Sequence, residues 1–501
     1  MAAFLLAIDQ GTTGTTAVVV GEDGRIAGRG YAEFAQHYPQ SGWVEHDPED
    51  LWRSSVDVAG QAIADAGVSA GDLAGLGITN QRETTLCWDR VTGRPVAPAI
   101  VWQDRRTAGI ARRLAENGGE DLIRRKTGLL PDAYFAGTKM RWLLDNVDSL
   151  RGRAESGEVC FGTVDSWLVW RLTGGEVFST DVTNASRTLL MDLESLAWDG
   201  ELLDHVGVPE AALPTIAPSA GIVGETRPDD FHGLRLPIAG ILGDQQAALF
   251  AQACFEPGQV KNTYGTGSFL LMNTGTTPFT EQRRLLTTVA VGFADQPTEY
   301  ALEGSILVTG SAVQWLRDEL GIIEAAAETE AVARSVDSTD DLWFVPALTG
   351  LGAPYWDPDA RGTILGISRG SSRAHIVRAT LESIAYQSAD VVAAFVEESG
   401  QPVDELRADG GAAANGWLMQ FQADVLGIPV DVPESIETTS LGSAYLAGLV
   451  TGVWSDRDEL QRRRRTARRY EPAMSDDERS TRLERWGQAV ARSRSWAVPG
   501  Q

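Results

Sequence analysis

The sequence predicts an α/β protein made of two related halves. Strand-like and helix-like stretches alternate along all 501 residues, the pattern of mixed layers rather than of a bundle or a sandwich. A unit of strand, Gly/Thr turn and strand occurs at the N-terminus and again about 250 residues later, the mark of a duplicated architecture. No low-complexity stretch separates the halves, so they read as hinged together, with a boundary that divides the chain into 1–250 and 251–501.

The first unit is "FLLAIDQGTTGTTAVVV", Phe4 to Val20, with apolar runs at 4–9 and 15–20 around a polar turn. A helical stretch follows from Glu49 to Ala66, and "LAGLGITNQRETTLCWD" then reads as strand, polar turn, strand. Helical patterns cover 108–117, 138–146 and 163–172, and the Trp residues of "TVDSWLVWRL" are read as core. From Leu236 the design restarts: "LPIAGILGDQQAALFAQA" is a strand ending at Gly243-Asp244 followed by an apolar helix. "VKNTYGTGSFLLMNTG" is the second hairpin, turning on Gly265 to Ser268. Late in the chain "LRADGGAAANGWLMQFQADVLG" is strand, Gly-Gly turn and a helix beginning near Ala413 or Asn415, and "TTSLGSAYLAGLVTG" is a Gly-rich helix suited to close packing.

Composition narrows the function classes. With 43% hydrophobic and 22% charged residues the chain is an ordinary globular protein. It has no run of 18 apolar residues and no basic segment leading an apolar one at its start, so it is expected to be cytoplasmic, with no membrane span. Cys87, Cys160 and Cys254 stand singly and read as buried thiols, not as a disulfide or zinc framework. A net charge of −26 repels a phosphate backbone and argues against nucleic-acid binding. The basic run Arg462 to Arg465, with Arg468 and Arg469, reads as a solvated helix face among acidic neighbours.

A Gly/Thr turn offers outward backbone N–H groups and hydroxyls, which suits phosphate oxygens; neither turn has the GxxxxGK[ST] spacing of a Walker loop. One such turn is no more than a hairpin, whereas two of them, each opening a half, fit phosphates clamped between domains. Asp9 ends the first strand, where an ionised carboxylate is costly without a cation or donors. It either binds Mg²⁺ beside nucleotide phosphates or caps the turn. Asp244, at the carboxyl end of its strand, is either a general base for a hydroxyl or a helix cap. Arg82 and Glu83 in "NQRE" fit the vicinal hydroxyls of a polyol, or else form a surface pair. Trp102, Tyr134 and Phe269 can wall a small site or sit in the core. In "GWVEHDP" the side chains of Glu45, His46 and Asp47 diverge, so no metal site is assigned there.

Taken together, "DQGTT", "GWVEHDP", "GITNQRET", "IVWQDRRT", "GTVDSWL", "TDVTNASRT", "GDQQAALF", "KNTYGTGSF", "LTGLGAPYWDPDARG" and "ATLESIAYQ" resemble the FGGY carbohydrate kinases over about nine-tenths of the chain, from Leu6 to Asp456. The resemblance implies two ribonuclease-H-like domains of the actin-like ATPase fold with ATP and acceptor between them. It also implies transfer of the γ-phosphoryl of ATP to the 3-hydroxyl of glycerol, and a homodimer or homotetramer. It makes Asp244 the base, with Arg82, Glu83, Tyr134 and Gln245 on the polyol and Trp102 and Phe269 as its apolar wall. On the nucleotide side it assigns Thr12, Thr13, Gly14 and the Thr16 position to the first phosphate loop and Thr266 to the second. Gly310, Gln314, Gly411 and Asn415 complete the ATP site, and Asp9 is the magnesium carboxylate. The chain departs from the family pattern at Thr16, where many members carry Arg, and at Gly14, often Ser. The loop "RPDDFHGLRLP" keeps only Gly233 and Arg235 of a sugar-bisphosphate site, and Asp229 and Asp230 would repel such a ligand, so little inhibition of that kind is expected; His232 stands near where some members carry a regulatory histidine, and that role is not assigned to it. The alternatives are a kinase of this family acting on another polyol or a ketose, and an ATPase module of the actin or Hsp70 type.

Overall fold

A computed structural model of the protein describes residues 3–281 and 284–497. The opening hairpin forms from β1 (Phe4–Gln10) and β2 (Gly14–Gly21), antiparallel, with Asp9 opposite Thr16. Strand β3 (Ile26–Glu33) continues the meander. Asp47 then caps helix α1 (Pro48–Ala66) by accepting the Glu49 N–H, and Pro48 occupies the first helical position. On the other side of β1 lie β4 (Leu73–Asn80) and β6 (Pro237–Gly243), both parallel, with β5 (Ala220–Glu225) as an antiparallel edge. The sheet order is β5-β6-β4-β1-β2-β3.

Both faces of this sheet are covered, which is why its central strands read as unbroken apolar runs. Leu6, Ile8, Ala17 and Val19 pack with Leu51 and Val58 of α1. Leu5, Ala7, Val18 and Val20 pack with Phe250 of helix α2 (Asp244–Ala251) and with Leu441, Ala444 and Tyr445.

The second sheet uses β7 (Val260–Tyr264), β8 (Ser268–Gly275), β9 (Leu286–Val291), β10 (Glu299–Ile306), β11 (Leu406–Asp409), β12 (Val430–Pro433) and β13 (Thr466–Tyr470). Their order is β9-β10-β8-β7-β11-β12-β13. Strands β7, β8 and β10 form an antiparallel meander, β11 and β12 run parallel to β7, and β13 closes the edge antiparallel. With β9 set aside, the strand directions repeat those of the first sheet, and so does the order except that the antiparallel edge strand β13 follows its neighbour β12 in the chain whereas β5 precedes β6; the duplication seen in the hairpins thus extends to the whole architecture. Helices α3 (Arg373–Ser399) and α4 (Gly416–Leu426) bury Val377, Leu381, Ile384, Leu418 and Met419 against the second sheet.

The Gly-rich stretch is helix α5 (Thr438–Thr451), which comes from the second half of the chain and lies on the sheet of the first. The approach is close enough to require glycine: a Cβ on Gly442 would sit 1.9 Å from the Ala247 carbonyl oxygen, and one on Gly77 2.3 Å from that of Ser443. The halves are therefore interlocked by a helix.

A helical insertion between β4 and β5 has its own core, with Leu129, Phe135, Met140, Leu143 and Leu202, and it carries Tyr134 to the junction of the halves. The three cysteines are buried and unpaired. No helix among the described residues is long and apolar enough to cross a membrane. The basic run corrects one expectation, since it is not a single helix face. The helix ends at Arg463, Arg464 turns inward to Asp431 and Gln252, and Arg468 and Arg469 stand on β13.

Candidate active site

Strand β4 ends at Asn80, and the "NQRE" turn is stitched to its surroundings by its own polar side chains. The Asn80 amide donates to Asn184 Oδ1 at 3.0 Å, the Gln81 N–H to the Gln10 carbonyl at 2.8 Å, and the Gln81 amide to the Gly11 carbonyl at 2.9 Å. The "NQRE" turn is thus built against the first Gly/Thr turn. Glu83 adopts φ 62°, a left-handed conformation that a non-glycine residue holds only at a cost and that clusters at functional sites.

Arg82 is the hub, with a side chain 2% exposed. Its Nη1 donates to Glu303 Oε2 at 2.6 Å and to Gln246 Oε1 at 3.3 Å. Its Nη2 donates to Glu303 Oε1 at 3.2 Å and to the Tyr134 hydroxyl at 3.3 Å. Its Nε lies 3.2 Å from Asp244 Oδ1. Burial disfavours the charge, but Glu303, Tyr134, Glu83 and Asp244 outweigh it and hold the guanidinium cationic. The surface-pair alternative for Arg82 and Glu83 fails, because both side chains are buried.

Asp244 is the first residue of α2, directly after β6, and its side chain is 29% exposed. Its Oδ1 accepts the Gln245 N–H at 2.7 Å and also faces Arg82. The "TDVTNASRT" segment fixes this strand end: Asp181 caps a short helix, Thr183 Oγ1 accepts the Gly243 N–H at 2.9 Å, and Asn184 holds the turn at Asn80. Gln245 is held in turn by Lys261, whose buried ammonium donates to Gln245 Oε1 at 2.5 Å, Thr263 Oγ1 at 2.9 Å and the Phe269 carbonyl at 3.2 Å. Burial draws Lys261 down to about 8.

The three aromatic residues meet. Trp102 contacts Tyr134 edge-on with centroids 5.8 Å apart and Phe269 at 6.1 Å, and the Arg82 guanidinium lies 6.0 Å from the Phe269 ring. Phe269 comes from β8 of the second half, the others from the first. The buried Lys139 ammonium fastens the loop carrying Tyr134 by donating to the carbonyls of Ala133 and Tyr134.

The two Gly/Thr turns are less occupied. Trp102 Nε1 donates to Thr12 Oγ1 at 2.8 Å, which leaves that hydroxyl's own proton free, and Thr13 is exposed. Gly14 and Thr16 belong to β2, and Thr16 is buried opposite Asp9 and Tyr31. The Thr266 carbonyl accepts the N–H groups of Thr309 and Ser311 while its side chain is exposed. Gly310 begins the helix Gly310–Asp318 so close to the second turn that a Cβ there would meet the Gly265 oxygen at 2.6 Å. Gln314 is exposed on that helix, Gly411 is exposed after β11, and Asn415 caps α4 and donates to Thr329.

Asp9 makes no ion pair with a basic side chain among the described residues. Burial first, then Asp244 and Glu437, push its carboxyl well above the ordinary range, with the Ser440 hydroxyl opposing. A desolvated carboxylate among carboxylates is a setting that a divalent cation relieves, and hard-oxygen ligation through one carboxylate, water and phosphate is the usual manner of Mg²⁺. The "GWVEHDP" side chains do diverge: Glu45 accepts from Arg106, His46 faces Gln36, and Asp47 caps α1. In the bisphosphate-like loop Arg235 is paired with Glu225 at 3.2 Å, and His232 packs on Gly60 of α1 and faces the Val56 carbonyl. A cavity of about 770 Å³ lined by Phe255, Phe293, Glu299 and Arg457 contains none of the site residues.

Sequence reading missed Glu303, Arg187, Gln246 and Lys261. The available signal was a charged residue inside a strand: Glu303 sits within "EYALEGSI" and Lys261 in "VKNTY", where a buried ion requires a partner.

A duplicated sheet, two Gly/Thr turns and the buried Arg82 cluster at their junction fit a two-domain kinase of the actin-like ATPase type. Residues 4–251 match the N-terminal domain and residues 260–450 the C-terminal domain of the FGGY family of carbohydrate kinases, and the chain belongs to that family. It is 53% identical over 495 residues to a glycerol kinase of Carboxydothermus hydrogenoformans, covering 99% of both chains. It is 55% identical over 493 residues to glycerol kinase 2 of Thermotoga maritima, covering 98% of this chain and 99% of that one. Among solved structures, a Plasmodium falciparum glycerol kinase with ADP matches with a TM-score of 0.91 and 35% identity over 98% of each chain.

Proposed function

We propose that the protein transfers the γ-phosphoryl group of ATP to the 3-hydroxyl of glycerol, giving sn-glycerol 3-phosphate and ADP, as the first step of glycerol catabolism. The observation that carries this reading is the acceptor box itself. Arg82, Glu83 and Asp244 offer donors and acceptors to adjacent hydroxyls, and Trp102, Tyr134 and Phe269 meet beside them as an apolar wall for the carbons of a small polyol. The relatives at 53% and 55% identity are glycerol kinases by name, which agrees with it.

In the proposed reaction Asp244 Oδ1 keeps its contacts with Gln245 and Arg82, which leaves Oδ2 for the acceptor hydroxyl. Asp244 takes the hydroxyl proton as the oxygen bonds to the γ-phosphorus and the bond to the bridging oxygen of ADP breaks. Thr12, Thr13 and Gly14 on one side and Thr266 on the other hold the phosphates, with Gly310, Gln314, Gly411 and Asn415 toward the nucleoside. Asp9 would hold Mg²⁺, which when bound neutralises phosphate charge. Closure of the halves keeps water from the γ-phosphate. We infer that the enzyme works in the cytoplasm, where ATP is available, and as a homodimer or homotetramer, as its resemblance to the family implies.

The test is turnover of glycerol, xylulose, ribulose and gluconate side by side with ATP and Mg²⁺. Glycerol is expected to be phosphorylated fastest; slower turnover of glycerol than of any of the others would replace it with a larger acceptor. An ATPase of filament or chaperone type has no use for the buried Arg82 cluster, and it predicts no acceptor dependence at all.

A further inference from the structure

We infer that Glu303 is a positioning residue of the acceptor site: it sets the guanidinium of Arg82 from the opposite half of the molecule, so the polyol clamp is complete only when both halves are in place. The inference rests on the kinase reading above and extends it to a residue outside the acceptor box.

Glu303 stands in the middle of β10 with a side chain fully shielded from solvent. Its Oε2 takes Arg82 Nη1 at 2.6 Å. Its Oε1 takes Arg82 Nη2 at 3.2 Å, Arg187 Nη2 at 2.9 Å and the Ser305 hydroxyl at 3.1 Å. Both arginines belong to the first half, and Arg187 Nε donates in turn to Glu83 Oε1 at 2.6 Å. Burial alone would raise the Glu303 carboxyl, but Arg187 and Arg82 overcome it and hold the group at about 2, so it is an anion at every working pH.

Two features separate positioning from mere stability. The first is the donor count of Arg82, whose five N–H groups meet five acceptor contacts. Those to Glu303 include the shortest, while those to Tyr134 and Gln246 are 3.3 Å and that to Asp244 is 3.2 Å. A polyol oxygen entering the box can displace the long contacts without disturbing the short one. Glu303 thus holds the guanidinium by one edge and leaves the other edge exchangeable. The second is that the cluster leaves Arg187 Nη1 buried with no partner among the described residues. A buried ion network is in general a poor source of stability, and one with an orphaned donor is poorer still.

Glu303→Gln isolates the effect. The amide has a single acceptor oxygen, and placing it at the Oε1 position keeps Arg187 and Ser305 but turns an N–H₂ toward Arg82 Nη1. The guanidinium must then shift from the position in which Glu303 holds it and in which it meets Asp244. With a charge-assisted bond lost, the KM for glycerol is expected to rise about tenfold or more while the KM for ATP changes less than about twofold. Equal rises in both constants, or an unchanged glycerol KM in a folded variant, would overturn the inference. Should Glu303→Gln fail to fold, Ser305→Ala removes only the hydroxyl that orients Oε1. It is expected to raise the glycerol KM about threefold, again with the ATP value unmoved, and no change would overturn the inference. Wild-type enzyme assayed in parallel separates this from the function itself: if it does not phosphorylate glycerol, the kinase assignment fails and not the role of Glu303.

Discussion

Replacing Asp244 by Asn tests the chemistry at a single oxygen. The present carboxylate is held through Oδ1, by the Gln245 N–H at 2.7 Å and by Arg82 Nε at 3.2 Å. Asn is isosteric and can present its amide oxygen to both donors, so the fold, the start of α2 and the Arg82 cluster should survive. What changes is the second atom, where an N–H₂ group replaces the oxygen left for the acceptor hydroxyl. That group donates and cannot take a proton. Loss of a positioned base slows a step by about 10²- to 10⁴-fold, about 3 to 5 kcal/mol in the barrier. The expected result is therefore a kcat lower by that factor, with KM for ATP near the wild-type value and an unchanged thermal midpoint. Steady-state assays with glycerol and ATP, together with binding of a non-hydrolysable ATP analogue by calorimetry, read all three. A variant retaining more than about a tenth of wild-type kcat would remove Asp244 from the base role, because general-base contributions are typically about 10²- to 10⁴-fold. A variant that lost nucleotide binding to the same degree would show that the carboxylate acts on the phosphate side instead.

Two further outcomes follow from the packing and the charges. Gly442→Ala puts a methyl 1.9 Å from the Ala247 carbonyl oxygen, where one backbone meets another and neither can yield; overpacking of this kind costs about 1 to 3 kcal/mol or more. The thermal midpoint should fall by several degrees and kcat with it, since α2 carries Asp244 at its start, and an unshifted melt would refute the interlock. Burial draws Lys261 to about 8, with Asp409, Asp244 and Glu303 favouring its charge and Arg82 opposing it. As pH rises past that value the ammonium that grips Gln245 is neutralised, so kcat/KM for glycerol should decline there. The unfolded chain keeps the proton to about 10.5, so unfolding takes up a proton between these values, and this group's contribution to stability rises with pH while activity falls. A declining limb that persists in Lys261→Met would detach it from this lysine.

How much of this was legible in the sequence depends on the range over which each signal acts. The hairpins, the end of β6 at Asp244 and the turn at Arg82 are local: alternating apolar runs and Gly/Thr punctuation fix them within a dozen residues, and each is where the pattern places it. The aromatic wall was readable only as three candidates, because Trp102, Tyr134 and Phe269 approach one another from separate segments. Glu303 and Lys261 were not read, although both are ions inside strands. Their meaning is set by sheet register: Lys261 pairs with Leu271 and Leu271 with Glu303, so one row across β7, β8 and β10 delivers a cation and an anion to the same face. No window of sequence contains that row. The same holds for α5, whose glycines announce a close approach without naming the surface approached, here the sheet of the other half. The general point is physical. A buried charge inside a strand that otherwise reads as core costs several kcal/mol unless a partner waits on another element, so such a residue marks a long-range contact even when the sequence cannot say with what. In this chain two fully shielded strand ions lead to the proposed acceptor site: Lys261 through Gln245, and Glu303 through Arg82.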